Sequence, residues 1–185
     1  MVAPKLKENI TMTPAVLVID VQSGLFDASP RPYEADEIVR RINSITRRAR
    51  DAGVPVIFIQ HEAPGFLDYG SEHWELQSGL EVSDSDYKVR KTTSDSFLRT
   101  NLEETLTSIG INNLIICGYA SEFCVDTTTR RASALGYTVQ LVSDAHTTRD
   151  KEHLSAKQIR EHHNITLSMS PTIIAVPSEE VNLVG

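Results

Sequence analysis

Leu114-Ile115-Ile116-Cys117-Gly118-Tyr119-Ala120-Ser121-Glu122-Phe123-Cys124-Val125-Asp126-Thr127 decides how this chain is read. An apolar run ends at Gly118, and a polar, helix-capable stretch opens at about Ser121. A buried strand feeding a helix is the repeating unit of an α/β fold, and it places Cys124 in the first turn of that helix. Amide N–H groups there lack intrahelical acceptors and the helix dipole is positive. Both favour a thiolate, and an oxyanion formed by its attack.

The same alternation recurs on either side. Ala15-Val16-Leu17-Val18-Ile19 is a compact apolar run of the kind covered on both faces of a sheet. Ile38, Ile42, Ile45 and Ala49 repeat at helical spacing between Glu34 and Ala52, and Gly53 supplies a stop. Further strands are expected at 54–59, 87–90, 114–117, 138–142 and 172–176. Further helices are expected along Leu98, Leu102, Leu106 and Ile109, over 121–135, and over 150–163. Residues 61–86 show no strong period and read as a surface excursion with a short helix near 72–77; loops this long are often functional. The pattern implies one α/β domain over residues 1–185, a Rossmann-like three-layer sandwich around a six-stranded, mainly parallel sheet.

Ligands of open parallel sheets sit beyond the carboxyl ends of the strands, where strand order reverses. Asp20 follows the first strand, Gln60 and His61 the second, and Lys91 the third. The Gly118–Cys124 loop follows the fourth, and Asp144, Ala145 and His146 the fifth. A thiol attacking a carbonyl must lose its proton, have its charge tolerated and see the leaving group protonated. Asp20 can take the proton from Cys124 and return it, Lys91 can balance charge, and the amides of Ala120 and Cys124 can form an oxyanion hole. Singly, each residue has an ordinary reading: a small buried cysteine, a turn-capping aspartate, a solvated lysine. Cys117, inside its apolar run, reads as structural.

Composition narrows the field. A formal charge of -7 argues against a nucleic-acid groove. Two cysteines, seven apart on a strand and its following helix, make an internal bridge unfavourable and point to a reducing cytoplasm. No apolar leader is read at the N-terminus, and no window approaches the roughly 18 apolar residues of a membrane span.

At these residues the chain resembles the isochorismatase-like cysteine hydrolase superfamily. The resemblance rests on Ile19-Asp20-Val21-Gln22, on Lys91 leading through Ser96-Phe97 to Leu102, on Gly118 to Val125, and on Gly136-Tyr137 with Asp144-Ala145. It covers about 14 to 176, leaving 1–13 as an N-terminal extension. It implies a catalytic triad of Asp20, Lys91 and Cys124, an Ala120/Cys124 oxyanion hole, and a cis peptide between Tyr119 and Ala120. It also implies a cofactor-independent hydrolase cleaving C–N bonds in a small amide, carbamoyl or ureido compound through a thioester, and a homo-oligomer, dimer or tetramer.

Nicotinamidase-like members carry a metal-binding Asp-x-His after the second strand; here the stretch reads Ile59-Gln60-His61, so the aspartate is missing and no metal is expected, although His61 and His73 offer nitrogens. Gln22, Leu25, Phe26, His61, Trp74 and Tyr119 are the candidate substrate contacts. Phe123 reads as core, His162-His163 as a solvated helix end, and 178–185 as a tail packing on a neighbour. Two rivals remain: a non-catalytic scaffold relative, and a phosphatase using Asp20. The second is weakened because Gln22 stands where a magnesium-binding acid is needed. Dinucleotide binding lacks its glycine motif.

Overall fold

Strand β1, Pro14–Ile19, is buried at every position, which explains its unbroken apolar sequence. It lies at the centre of a sheet ordered β3-β2-β1-β4-β5-β6, parallel throughout. The other strands are β2 (Val56–His61), β3 (Tyr87–Lys91), β4 (Asn113–Tyr119), β5 (Thr138–Thr147) and β6 (Ile173–Val176). This is a computed structural model, and it describes residues 12–184. All but the last two residues of the expected N-terminal extension therefore lie outside the described residues.

Alternation along β1 separates two cores. Ala15, Leu17 and Ile19 pack with Leu102 and Leu106 of α3 (Leu102–Ser108), Ala132 of α4 (Asp126–Ala134) and Leu167 of α5 (Ala156–Leu167). Val16 and Val18 face the other way, onto Ile38, Ile42, Ile45 and Ala49 of α2 (Ala35–Asp51) and Phe26 of the short α1 (Ser23–Phe26). Each fully buried isoleucine of α2 contributes roughly 2 kcal/mol by burial. These are the layers of a three-layer α/β sandwich.

Several expected boundaries move, each for a local reason. No helix forms near 72–77, because that segment lies against residues 21–24. Ser23 N–H bonds to Glu75 O, Gly24 N–H to His73 O and Gln77 N–H to Val21 O. Leu98 lies outside α3 and is exposed; Arg99 adopts φ 58°, which interrupts the helical run before Leu102. The last helix starts later and runs further than expected. Ser155 caps it in a reciprocal box with Gln158, and His162-His163 lie inside it rather than at its end. The tail folds back on its own sheet: Ser178 bonds twice to Asp144, and Asn182 bonds to Gln140 through both backbone groups.

The strand order reverses between β1 and β4, so their carboxyl ends flank a crevice. Gly118 makes the approach possible. At φ 120° its missing Cβ would stand 2.1 Å from Ile19 O, so no side chain fits.

Candidate active site

Asp20 leaves β1 in the left-handed conformation, φ 52°, its N–H held by Ile59 O at 2.9 Å. This turn directs its carboxylate into the crevice, where it is 1% exposed. Lys91 arrives from the end of β3, two strands away, and is equally buried. Its ammonium donates to Asp20 Oδ2 at 2.7 Å and lies 3.2 Å from Cys124 Sγ. Thr93 O at 3.1 Å and His61 Nδ1 at 3.0 Å complete its surroundings. Thus Asp20, Lys91 and Cys124, from three separate strand ends, meet around one nitrogen.

Two details bear on protonation. His61 Nδ1 faces the Lys91 ammonium, and burial followed by the Lys91 charge lowers the His61 pKa. Asp20 Oδ1 is buried without a hydrogen-bond partner among the described residues. Such an oxygen is costly unless something fills its lone pairs. One oxygen of this carboxylate lies within 4.8 Å of Cys124 Sγ.

The assembled crevice opposes the thiolate that the helix start favours. Burial, then the neighbouring Asp20 charge, raise the Cys124 thiol to about 12, against the opposing pull of Lys91. Desolvation penalises the charged sulfur more than one ammonium and a helix start can offset. Both burial and the Asp20 charge favour a thiol over a thiolate at Cys124.

Cys124 sits in a wide turn rather than an α-helical one. Ser121–Val125 forms a π-type turn, and the Ala120 carbonyl is taken by the N–H groups of Phe123 and Val125, at 3.0 and 3.1 Å. In an α-turn the fourth residue on, Cys124, would take that bond. The Tyr119–Ala120 peptide, immediately before the turn, is cis.

A cavity of about 310 Å³ opens onto the thiol. Leu25, His61 and Tyr119 line it, as do Phe66, Phe123 and Lys151. Three expected contacts stand behind its wall instead. The Gln22 amide is wholly buried and spent on His61 N, His61 O and Trp74 O. Phe26 is core, its ring edge against Tyr119 at 5.9 Å. Trp74 packs on Tyr69, and its carbonyl anchors Gln22 and Gln60. Phe123, expected in the core, is 56% exposed at the cavity because the wide turn rolls it outward. Lys151 was not legible, since it comes from a turn after β5 and carries no motif; its ammonium pairs with Glu122 at 2.9 Å.

One ligand atom each from Asp20, His61 and Cys124 lie within 4.8 Å of one another, a spacing that suits a metal ion. The Lys91 ammonium, however, already lies within bonding distance of all three. Ile59, at the place of the aspartate in the Asp-x-His pattern, is a fully buried core residue with no ligand atom, and Gln60 turns its amide to Trp74 O. These residues do not fit a resident metal. Nor does buried Gln22 leave a second ligand beside Asp20 for magnesium.

The isochorismatase domain profile matches residues 14–169. Streptothricin hydrolase of Streptomyces noursei is 38% identical over 138 residues, 74% of this chain and 50% of that protein, so the chain spans about half of its length. Nicotinamidase 3 of Arabidopsis thaliana is 30% identical over 156 residues, covering 75% of each. A crystal structure of an isochorismatase family protein superimposes with TM-score 0.83 at 34% identity, covering 89% of this chain and 98% of that one. By fold the chain is a three-layer α/β protein with a parallel six-stranded sheet, like these structures. It belongs to the isochorismatase family. No helix among the described residues is long and apolar enough to cross a membrane.

Proposed function

We propose that the protein hydrolyses a C–N bond in a small amide, carbamoyl or ureido compound through a thioester on Cys124. The observation that carries this reading is the buried Lys91 ammonium, 2.7 Å from the Asp20 carboxylate and 3.2 Å from the Cys124 sulfur, at a cavity that opens onto that sulfur. As sulfur bonds to the carbonyl carbon, its proton passes to Asp20 and the carbonyl π pair moves onto oxygen. The amides of Ala120 and Cys124 receive that oxyanion, an interaction of roughly 3 kcal/mol per donor. Asp20 then protonates the departing nitrogen as the C–N bond breaks. In the second half Asp20 takes a proton from water, hydroxide adds to the thioester, and the thiol leaves with its proton restored. Lys91 keeps the charge balanced throughout.

A thiol near pKa 12 suits this scheme, because proton transfer and attack occur together and no free thiolate is stored. Two relatives support the hydrolytic direction, one named a streptothricin hydrolase and the other a nicotinamidase. The cavity wall of Leu25, Phe66, Tyr119 and Phe123 favours a compact substrate with an apolar or planar body. The test is ammonia or amine release across a library of small amides and ureides, with C124A in parallel. Release by wild type and none by C124A supports the reading; equal release by both sinks it.

A further inference from the structure

Cys117 on β4 is opposed by four residues of β5, Val142 to Ala145, because the register jumps from Ile116 with Leu141 to Gly118 with His146. Bulges of this kind re-aim side chains. Here the bulge delivers His146, fully buried, beneath the turn that carries Cys124. Ser121, the first residue of that turn, is also fully buried, and its Oγ lies 2.8 Å from His146 Nδ1. His146 Nε2 lies 2.8 Å from Asn164 Oδ1, and Asn164 Nδ2 donates to Ser143 O at 2.9 Å.

The chain has one consistent proton assignment. Flipping the Asn164 amide would set two oxygens against each other, so Oδ1 must accept and His146 Nε2 carries the proton. Burial lowers His146 to about 4, so the ring is neutral and Nδ1 is a bare acceptor. Ser121 Oγ–H therefore donates to it. Thr148, two residues further along, donates to Glu122 at 2.8 Å, so the end of β5 grips the turn at consecutive residues. A buried hydrogen-bonded chain fixes one geometry where an apolar contact would tolerate several.

We propose that His146 is a positioning residue that, through Ser121, holds the Ala120–Cys124 turn so that the Ala120 and Cys124 amides aim at the oxygen of the attacked carbonyl. The proposal rests on the thioester reading above and assigns a role outside its triad. His146 does not line the cavity that opens onto Cys124, and its ring nitrogens face Ser121 and Asn164. Its effect belongs to the step that develops an oxyanion and not to simple displacement chemistry at sulfur.

Three variants test this: S121A, H146L, and H146N, whose side-chain oxygen can replace Nδ1 as the acceptor. Three readouts are compared: kcat and KM on an amide the wild type hydrolyses, affinity for benzaldehyde, and alkylation of Cys124 by iodoacetamide. Benzaldehyde adds to the thiol as a thiohemiacetal whose oxygen occupies the hole; alkylation creates no oxyanion. In S121A and H146L, kcat is expected to fall about 10- to 100-fold with KM little changed. Benzaldehyde affinity should fall in step, and alkylation should keep its rate. H146N should recover most of kcat, and S121A/H146L should be no worse than H146L alone. Folded S121A with wild-type kcat and aldehyde affinity overturns the proposal, as do additive losses or an equal fall in alkylation; S121A decides alone if H146L does not fold. Wild type that neither releases ammonia nor binds benzaldehyde overturns the thioester reading instead, and the proposal with it.

Discussion

Cys117 and Cys124 lie seven residues apart, one inside β4 and one in the turn after it, and burial raises both thiols to about 12. Their surroundings differ in kind. Cys117 has apolar walls and a single weak contact, 3.5 Å to Leu17 O. Cys124 has an ammonium at 3.2 Å, a carboxylate with an unpartnered oxygen, and a cavity in front of it. A perturbed thiol is therefore not by itself a nucleophile. What separates the two is a proton acceptor within reach and room for a carbonyl.

Substitutions at the two cysteines should separate most. C124A is expected to lower turnover by about 10⁴-fold or more while preserving the fold, since losing the nucleophile removes the covalent route. C117A should leave kcat within about twofold and cost about 1 kcal/mol of stability in a urea titration, a small buried-atom deletion. Comparable turnover losses would erase the contrast.

Removing the acceptor should be nearly as damaging, with a distinguishing sign. D20N should reduce kcat by about 10³-fold, within the range of general acid–base catalysis. It should also destabilise the protein by about 3 kcal/mol, because the Lys91 ammonium is left buried without its carboxylate. Yet Asp20 raises the Cys124 pKa, so D20N should alkylate faster than wild type at pH 8. Faster alkylation with slower turnover is the signature of a base that costs thiolate but supplies proton transfer.

The pH dependence of stability sharpens the comparison from another side. Both thiols have folded pKa values near 12, above about 8.5 in an unfolded chain. Their contribution is thus fully present below about pH 8.5 and lost as pH rises through 12. C117A and C124A should each flatten this alkaline loss. At the acid end His146 is lowered to about 4, so its contribution is present above about pH 6.5 and lost as pH falls through 4. H146N should flatten that limb, as followed by thermal unfolding between pH 7 and 4.

The sheet was legible because strands buried on both faces must be continuously apolar, as 14–19 and 114–117 are. The meeting of Asp20, Lys91 and Cys124 was legible because strand ends in this topology converge. Other features depended on distant partners. Nothing in 72–77 announces that its backbone will pair with 21–24, and nothing in Gln22, Phe26 or Trp74 distinguishes support behind a wall from the wall itself. The electrostatics around Cys124 were only partly legible for a similar reason. Helix-start electrostatics are local, whereas burial and the Asp20 charge come from the assembled crevice. The Ser155-Gln158 capping box, by contrast, was present in the sequence and marks the helix start that periodicity alone placed too early.

Rapid acid quench during turnover, followed by mass spectrometry of the peptide containing Cys124, tests the central claim most directly. The expected result is that peptide carrying the acyl group of the substrate, with the adduct missing from C124A and enriched when water attack is slowed. Steady turnover by C124A at the wild-type rate, or the acyl group on any residue other than Cys124, would contradict it.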